Sequence, residues 1–359
     1  MQKQVSSPSS TRAQCSVPHA EHKTQNTLVR WLLVAFAFLL MGVPCAGAEE
    51  KLGAEGAGPS VKWVDFTPTG DVMAKALALD IATVDTDIHL DWVETLGYFA
   101  AKTGGKWGKI KDADMDKYAK ARHSGQSQDA LTQNLKYYPY YHTAYKAVLE
   151  GFVGHFRVQI EKDGALIWDE RYGLKAFSPL AKGYPFSHYD DFGSSRTYGY
   201  RRRHLGHDMM AQVGTPVVAV ESGTVTALGW NRYGGWRIGL SSADGTRYYY
   251  YAHLRKNRPF AEGLAEGARV SAGDVIGYVG RSGYSANENQ NNIETPHLHF
   301  GMRLIFDEGD RLRPSEQSKN EIWIDTYEIV KLLQKNRSET VRDPDTKEHT
   351  RKYLFEERG

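Results

Sequence analysis

Residues 201–223 read RRRHLGHDMMAQVGTPVVAVESG, and the reading of the whole chain turns on them. His204 and Asp208 stand four residues apart across Gly206, and the segment then passes Gly214-Thr215-Pro216 into an apolar strand-like run. Two short segments downstream echo it: Tyr251-Ala252-His253-Leu254 and Pro296-His297-Leu298-His299-Phe300. In a strand, alternate side chains share a face. His297 and His299 therefore point one way, while Leu298 and Phe300 point into the core. One of the pair can bind a metal while its neighbour reaches bound water. His204 and Asp208, on either side of a glycine-containing turn, can converge on the same ion, with His253 on another strand beside the open position. Zinc catalysis needs about three protein ligands and one open position. Zinc lowers the pKa of bound water to about 7, and a neighbouring imidazole can take the proton. Each element alone is common on ordinary strands; the combination carries the reading.

Working outward, residues 182–306 are rich in turns and short alternating runs. Residues 215–219 and 223–228 read as paired strands, and 236–240 with 246–252 as a hairpin around Asp244-Gly245. Residues 275–279 and 297–304 add two more, which argues an antiparallel sheet or small barrel. Upstream, residues 156–168 read as strands joined at Asp163-Gly164. Before them lies a helical region. Residues 71–80 form one helix and 91–102 a second, with Trp92, Leu96 and Phe99 on one face and Gly104-Gly105 as its stop. A third covers 141–152, with a polar stretch of short helices and turns over 109–133. His89, His123, His142 and His155 lack metal spacing and read as surface or packed histidines. Tyr137, Tyr138, Tyr140, Tyr141 and Tyr145 read better as packing than as a sugar or peptide surface. The fold class expected is α+β: a helical N-terminal domain, a compact antiparallel β-sheet domain and a C-terminal helix over 323–335. The charged tail, 336–359, reads as mobile.

Composition narrows the function. A formal net charge of +2 on 359 residues excludes a nucleic-acid partner as the leading reading. The two cysteines, Cys15 and Cys45, both lie in the N-terminal targeting region, so any metal in the body must be held by His, Asp or Glu. Residues 31–43 (WLLVAFAFLLMGV) match a signal-peptide core and fall short of the ~18–20 residues that span a bilayer. Ala46-Gly47-Ala48 is a small-x-small cleavage site. Residues 1–48 are thus a signal peptide or an uncleaved membrane tether, and 49–60 a Gly/Ala-rich linker. The body is expected outside the cytoplasm, in the periplasm or cell envelope.

His204-x-x-x-Asp208, Tyr251-x-His253-Leu254 and His297-x-His299, in that order, resemble the lysostaphin-type or LytM-type zinc endopeptidases, which cut peptidoglycan stem peptides and cross-bridges. Asp191-Phe192-Gly193 with Arg196, Gly214-Thr215-Pro216-Val217 and Ala272-Gly273-Asp274-Val275 extend the likeness, which covers residues 186–304. The resemblance implies one zinc ion per chain on His204, Asp208 and His299, with His253 and His297 as catalytic histidines. It implies peptidoglycan peptides as substrate and an antiparallel sheet with an open groove. The domain plan that follows is a helical domain of unassigned role over 61–155, a zinc peptidase β domain over 156–310, a C-terminal helix over 311–335 and a charged tail. His207 has no role in the pattern. Residues 286–295 (ANENQNNIET) lengthen the loop before His297 and so bear on which bond is cut. Two other classes compete. A catalytically silent wall-binding regulator of another hydrolase is disfavoured because all five site residues are present. A carrier module is disfavoured because no lysine stands at the hairpin tip.

Overall fold

The computed structural model describes residues 60–199, 201–306 and 320–358. The targeting segment, both cysteines and the linker up to residue 59 lie outside the described residues. Among those described, no helix is long and apolar enough to cross a membrane.

After a short strand, β1 (Ser60–Val64), five helices follow. Thr69 caps α1 (Gly70–Thr83) through a bond from the Val72 amide, and the Asp91 carboxylate caps α2 (Trp92–Thr103) through the Glu94 amide. Gly104 closes α2 in the left-handed region, φ 63°, as the sequence anticipates. The polar stretch holds a 3-10 turn (Trp107–Lys109), then α3 (Asp112–His123) and α4 (Gln128–Thr132). Only Met115 and Tyr118 of α3 are buried, too few apolar positions for its period to show in the sequence. Helix α5 (Tyr138–Leu149) packs on α2, with Tyr145 against Phe66 and Trp107, so that tyrosine serves packing.

The β region then runs β2 (Val153–Lys162), β3 (Ala165–Leu174), β4 (Phe186–Tyr189), β5 (Ser195–Arg196), β6 (Arg202–Arg203) and β7 (His207–Ala211). It continues as β8 (Pro216–Val218), β9 (Gly223–Asn231), β10 (Gly235–Ser242), β11 (Arg247–Ala252), β12 (Arg269–Val270), β13 (Val275–Tyr278) and β14 (His297–Leu304). Last come β15 (Asn320–Ile324), α6 (Tyr327–Leu333), β16 (Thr340–Arg342), β17 (His349–Arg351) and β18 (Phe355–Glu357). The main sheet has the order β1-β15-β14-β11-β10-β9-β12, with β7 also on β14 and β4 on β7. Its inner face buries Val225, Ile238, Leu240, Tyr249, Tyr251, Leu298 and Phe300. Each such side chain contributes roughly 1.5–3 kcal/mol.

Four expectations change. The sheet is mixed, because β1 runs parallel to β15; a parallel pair needs a long crossover, and nearly the whole chain supplies it. Strand β8 pairs with β13, and β9 with β10. The amide of Ala219 bonds Asp274 O and the amide of Val220 bonds the Tyr251 hydroxyl, so this segment spends its donors away from β9. The C-terminal helix starts later than expected: Trp323 and Ile324 pair with Arg303 and Met302 of β14, and tertiary pairing outweighs their helical spacing. The tail is ordered structure. Strand β18 pairs with β2, Phe355 is buried against Phe156 and Phe177, and the Arg351 guanidinium lies about 5 Å from the Phe177 and Phe355 rings. Arg351 there lies on apolar rings and pairs with Asp274 at 3.5 Å, while Glu339 pairs with Lys182 at 2.6 Å.

Candidate metal centre and its groove

Strand β7 lies antiparallel to β14 with Asp208 directly opposite His299. Directly opposed residues bring their side chains within reach of one another. His204 arrives from the turn before β7. A Cβ on Gly206 would come within 2.5 Å of the His299 ring, so that turn tolerates only glycine. The result is a triangle. His204 Nε2 is 3.1 Å from Asp208 Oδ1 and 2.9 Å from His299 Nδ1, which is itself 2.9 Å from Asp208 Oδ1. His204 and Asp208 are buried and His299 is partly so. One ligand atom from each falls within 4.8 Å of the other two. A single proton bridges only two of three such atoms, whereas one cation satisfies all three, and two imidazoles with a carboxylate are donors that zinc accepts. His204 Nδ1 lies 2.8 Å from Asp191 Oδ1, at ion-pair distance without hydrogen-bond alignment. A carboxylate behind a ligating imidazole holds the ring's orientation. Burial opposes charge on all three groups. Even so, Asp191 and Asp208 raise His204 to about 9, and His204 and His299 hold Asp208 well below the carboxylate range. Burial dominates at His299 and lowers it.

His297 and His253 flank this triangle. His297 Nδ1 donates to Thr295 O at 2.8 Å and His253 Nδ1 donates to Ser282 O at 3.0 Å. With Nδ1–H committed to a carbonyl, Nε2 is the ring atom that can accept a proton when either imidazole is neutral. The two rings are 4.8 Å apart, and His253 is 5.8 Å from His299. Burial, then His297 and His299, push His253 well below its ordinary value, which keeps it neutral. His253 sits one residue past the end of β11, not within a strand, in a left-handed turn at φ 61°. Such strain in a non-glycine residue persists only where surrounding structure enforces it; here its amide bonds Gly234 O at 2.7 Å.

All five candidate residues line one cavity of about 330 Å³, with Arg196, Arg202, Arg203, Tyr233, Tyr250, Tyr284, Ile293 and Trp323 among its other walls. Ile293 brings the lengthened loop 286–295 to the groove. Tyr233, Tyr250 and Trp323 were not singled out from sequence. The period of β11 carried a signal for Tyr250, which shares a face with Ala252, whereas Trp323 was assigned to a helix. His207 points away from the groove: it is buried, its Nε2 lies 2.7 Å from His188 Nδ1, and burial followed by His188 lowers it to about 3.

Peptidase family M23 matches residues 202–314, the segment that contains all five of these residues. Residues 202–314 are a peptidase family M23 domain. Over 130 residues the chain is 43% identical to the L-Ala–D-Glu endopeptidase of Bacillus subtilis (strain 168), covering 36% of this chain and 38% of that protein. It is 40% identical over 103 residues to lysostaphin of Staphylococcus staphylolyticus, covering 28% of this chain and 18% of that one. The chain thus spans well under half the length of these curated relatives. A crystal structure of a glycyl-glycine endopeptidase lytM candidate from Ruminococcus gnavus ATCC 29149 superposes with a TM-score of 0.45 at 24% identity, covering 76% of this chain and 90% of that one. The M23 match stops short of β1 and the helices, and of β15 onward.

Proposed function

We propose that the chain is an exported zinc metalloendopeptidase that hydrolyses peptide bonds in peptidoglycan stem peptides or cross-links. The observation that carries this reading is the convergence of His204, Asp208 and His299 in the wall of a groove, beside two imidazoles anchored through Nδ1. His204, Asp208 and His299 would hold one zinc ion per chain. Bound there, zinc supplies a Lewis acid for a peptide carbonyl and for water. His253 and His297 hold Nε2 toward the same space, one to take a proton and the other to donate to a developing oxyanion or leaving amine. Tyr250 and Tyr284 wall the groove and limit water. The substrate class rests on the relatives, one an L-Ala–D-Glu endopeptidase and one lysostaphin. Export, to the periplasm or cell envelope, rests on residues 31–43.

Zinc content and peptidoglycan digestion test the reading on the purified chain, beside His253→Ala and His299→Ala. One zinc per chain is expected, with new peptide fragments that disappear in both variants. His299→Ala should lose the metal and His253→Ala should keep it. Zinc bound without digestion would favour a silent wall-binding regulator, and no zinc would sink the ligand assignment.

A further inference from the structure

A second cavity, of about 630 Å³, lies outside the M23 match: none of its walls falls in residues 202–314. Strand pairing explains its place. Alternate residues of β2 share a face, so Phe156, Val158 and Ile160 point one way, and pairing sets Ile167 of β3 beside Ile160. Strand β18 pairs with β2 only as far as Val158, and one further bond joins the Gln159 amide to Leu354 O at 2.8 Å. There the tail has left the hairpin: the Lys352 amide donates to Glu339 O at 2.8 Å. The space between Ile160, Tyr353 and residues 335–339 is the cavity. Phe156, Phe177 and Phe355 are buried in its walls, Ile160 is half-buried, and the same face of the hairpin runs out to Ile167, 39% exposed.

The charge of these walls is one-sided. Arg171, Lys182, Lys335, Arg337 and Arg351 stand against two carboxylates, Glu161 and Glu339. Arg171 pairs with Asp169 at 2.7 Å, Lys182 with Glu339 at 2.6 Å and Lys335 with Asp71 at 3.8 Å, all at the surface. Surface pairs contribute little, so a bound anion can compete for these cations. Arg337 differs. Its Nε donates to Leu180 O at 3.2 Å, its Nη2 donates to Ala181 O and Tyr184 O, and its guanidinium lies 5.1 Å from the Phe186 ring. None of these is a full counter-charge, and among the described residues no carboxylate pairs with it. Burial lowers its pKa. Arg351 spends Nη1 on Ala272 O, has Asp274 at 3.5 Å, and is lowered by burial to about 10. A bound anion relieves a cation that burial disfavours. Small-molecule sites of roughly 300–1,000 Å³ combine such apolar walls with a few polar groups that fix orientation.

We propose that this cavity binds a single-chain anionic amphiphile, its carboxylate paired with Arg337 and Lys182 and its acyl chain laid along Phe156, Val158 and Ile160. The occupant bridges β2, residues 335–339 and the strand β18, and so fastens the tail to the hairpin.

The test uses the full chain and three probes below their aggregation concentrations: dodecanoate, dodecanol and butanoate. Calorimetry should show one saturable site for dodecanoate, at least tenfold tighter than for either of the others. A ligand held only by the native state raises the melting temperature, so dodecanoate should do so and butanoate should not. Ile160→Glu sets a negative charge in the path of the chain at a half-buried position. It should weaken dodecanoate at least tenfold and leave the unliganded melting temperature unchanged. Arg337→Gln should bring dodecanoate down to the affinity of dodecanol; Lys182→Gln, at the surface, should lose part of the difference without touching the fold. No saturable binding, equal affinity for dodecanoate and dodecanol, or an affinity untouched by Ile160→Glu would overturn the site. Sedimentation with phosphatidylglycerol vesicles should be the same for wild type and Ile160→Glu. Vesicle binding that Ile160→Glu abolishes, without binding of free dodecanoate, would assign the surface to a membrane and overturn the proposal.

Discussion

Two buried aspartates of this chain each meet histidine, and they do opposite things. Asp80, fully buried at the end of α1, accepts from His89 Nε2 at 2.9 Å, the Tyr172 hydroxyl at 2.7 Å and the Trp92 amide at 2.8 Å. Every contact pairs a donor with an acceptor, so the carboxylate closes on itself and ties α1, the start of α2 and β3 together. Asp208 meets two ring nitrogens that also meet each other, and no distribution of protons satisfies all three contacts. The same residue types make a staple in one place and, in the other, a cluster that could hold a metal ion. The difference lies in whether donors and acceptors balance, and in the company each keeps: Asp80 lines a smaller cavity of about 150 Å³, whereas Asp208 lines the groove of about 330 Å³ that also holds His253 and His297.

That contrast can be broken by exchange of effects. Asp208→Ala should cut hydrolysis by roughly 1000-fold or more, since it removes a proposed metal ligand and with it several kcal/mol of transition-state stabilisation. Its metal-free melting temperature should stay near that of metal-free wild type. Asp80→Ala should instead cost about 4 kcal/mol in chemical denaturation, because it orphans a buried amide, a hydroxyl and an imidazole. Zinc per folded chain should be unchanged. If Asp80→Ala lost zinc while its fold survived, the two sites would be coupled and the contrast would fail. Chelation sharpens it further: loss of a ligand bound only by the native state should lower the melting temperature of wild type and of Asp80→Ala by several degrees, and leave Asp208→Ala unmoved. The smallest effect should come from Tyr172→Phe, about 1 kcal/mol, because His89 and the Trp92 amide still hold Asp80.

Legibility followed the range of the interaction that decides each feature. The helix over α2 was readable because its cap, apolar period and glycine stop are all local. The β2–β3 hairpin was readable from Asp163-Gly164, both with positive φ. Helix α3 escaped notice as a distinct element because only two of its side chains face the core. Trp323 and Ile324 fitted a helix by spacing, yet they lie beside β14, and pairing with a neighbouring strand outweighs a weak local preference. The tail misled for a related reason. Its charge suggested solvent, while Phe355 and the stem of Arg351 carry the burial.

By itself, the sequence picked out the candidate side chains and which way two of them point along their own strand, since alternation in β14 puts His297 and His299 on one face and Leu298 and Phe300 on the other. Only the tertiary structure decided how they meet: the register that sets Asp208 against His299, the turn that carries His253 past the end of β11, and the carbonyls that orient both flanking imidazoles. Those contacts join residues far apart in the chain, where no local propensity or period reaches. They are settled by how strands pair and how buried polar groups find partners.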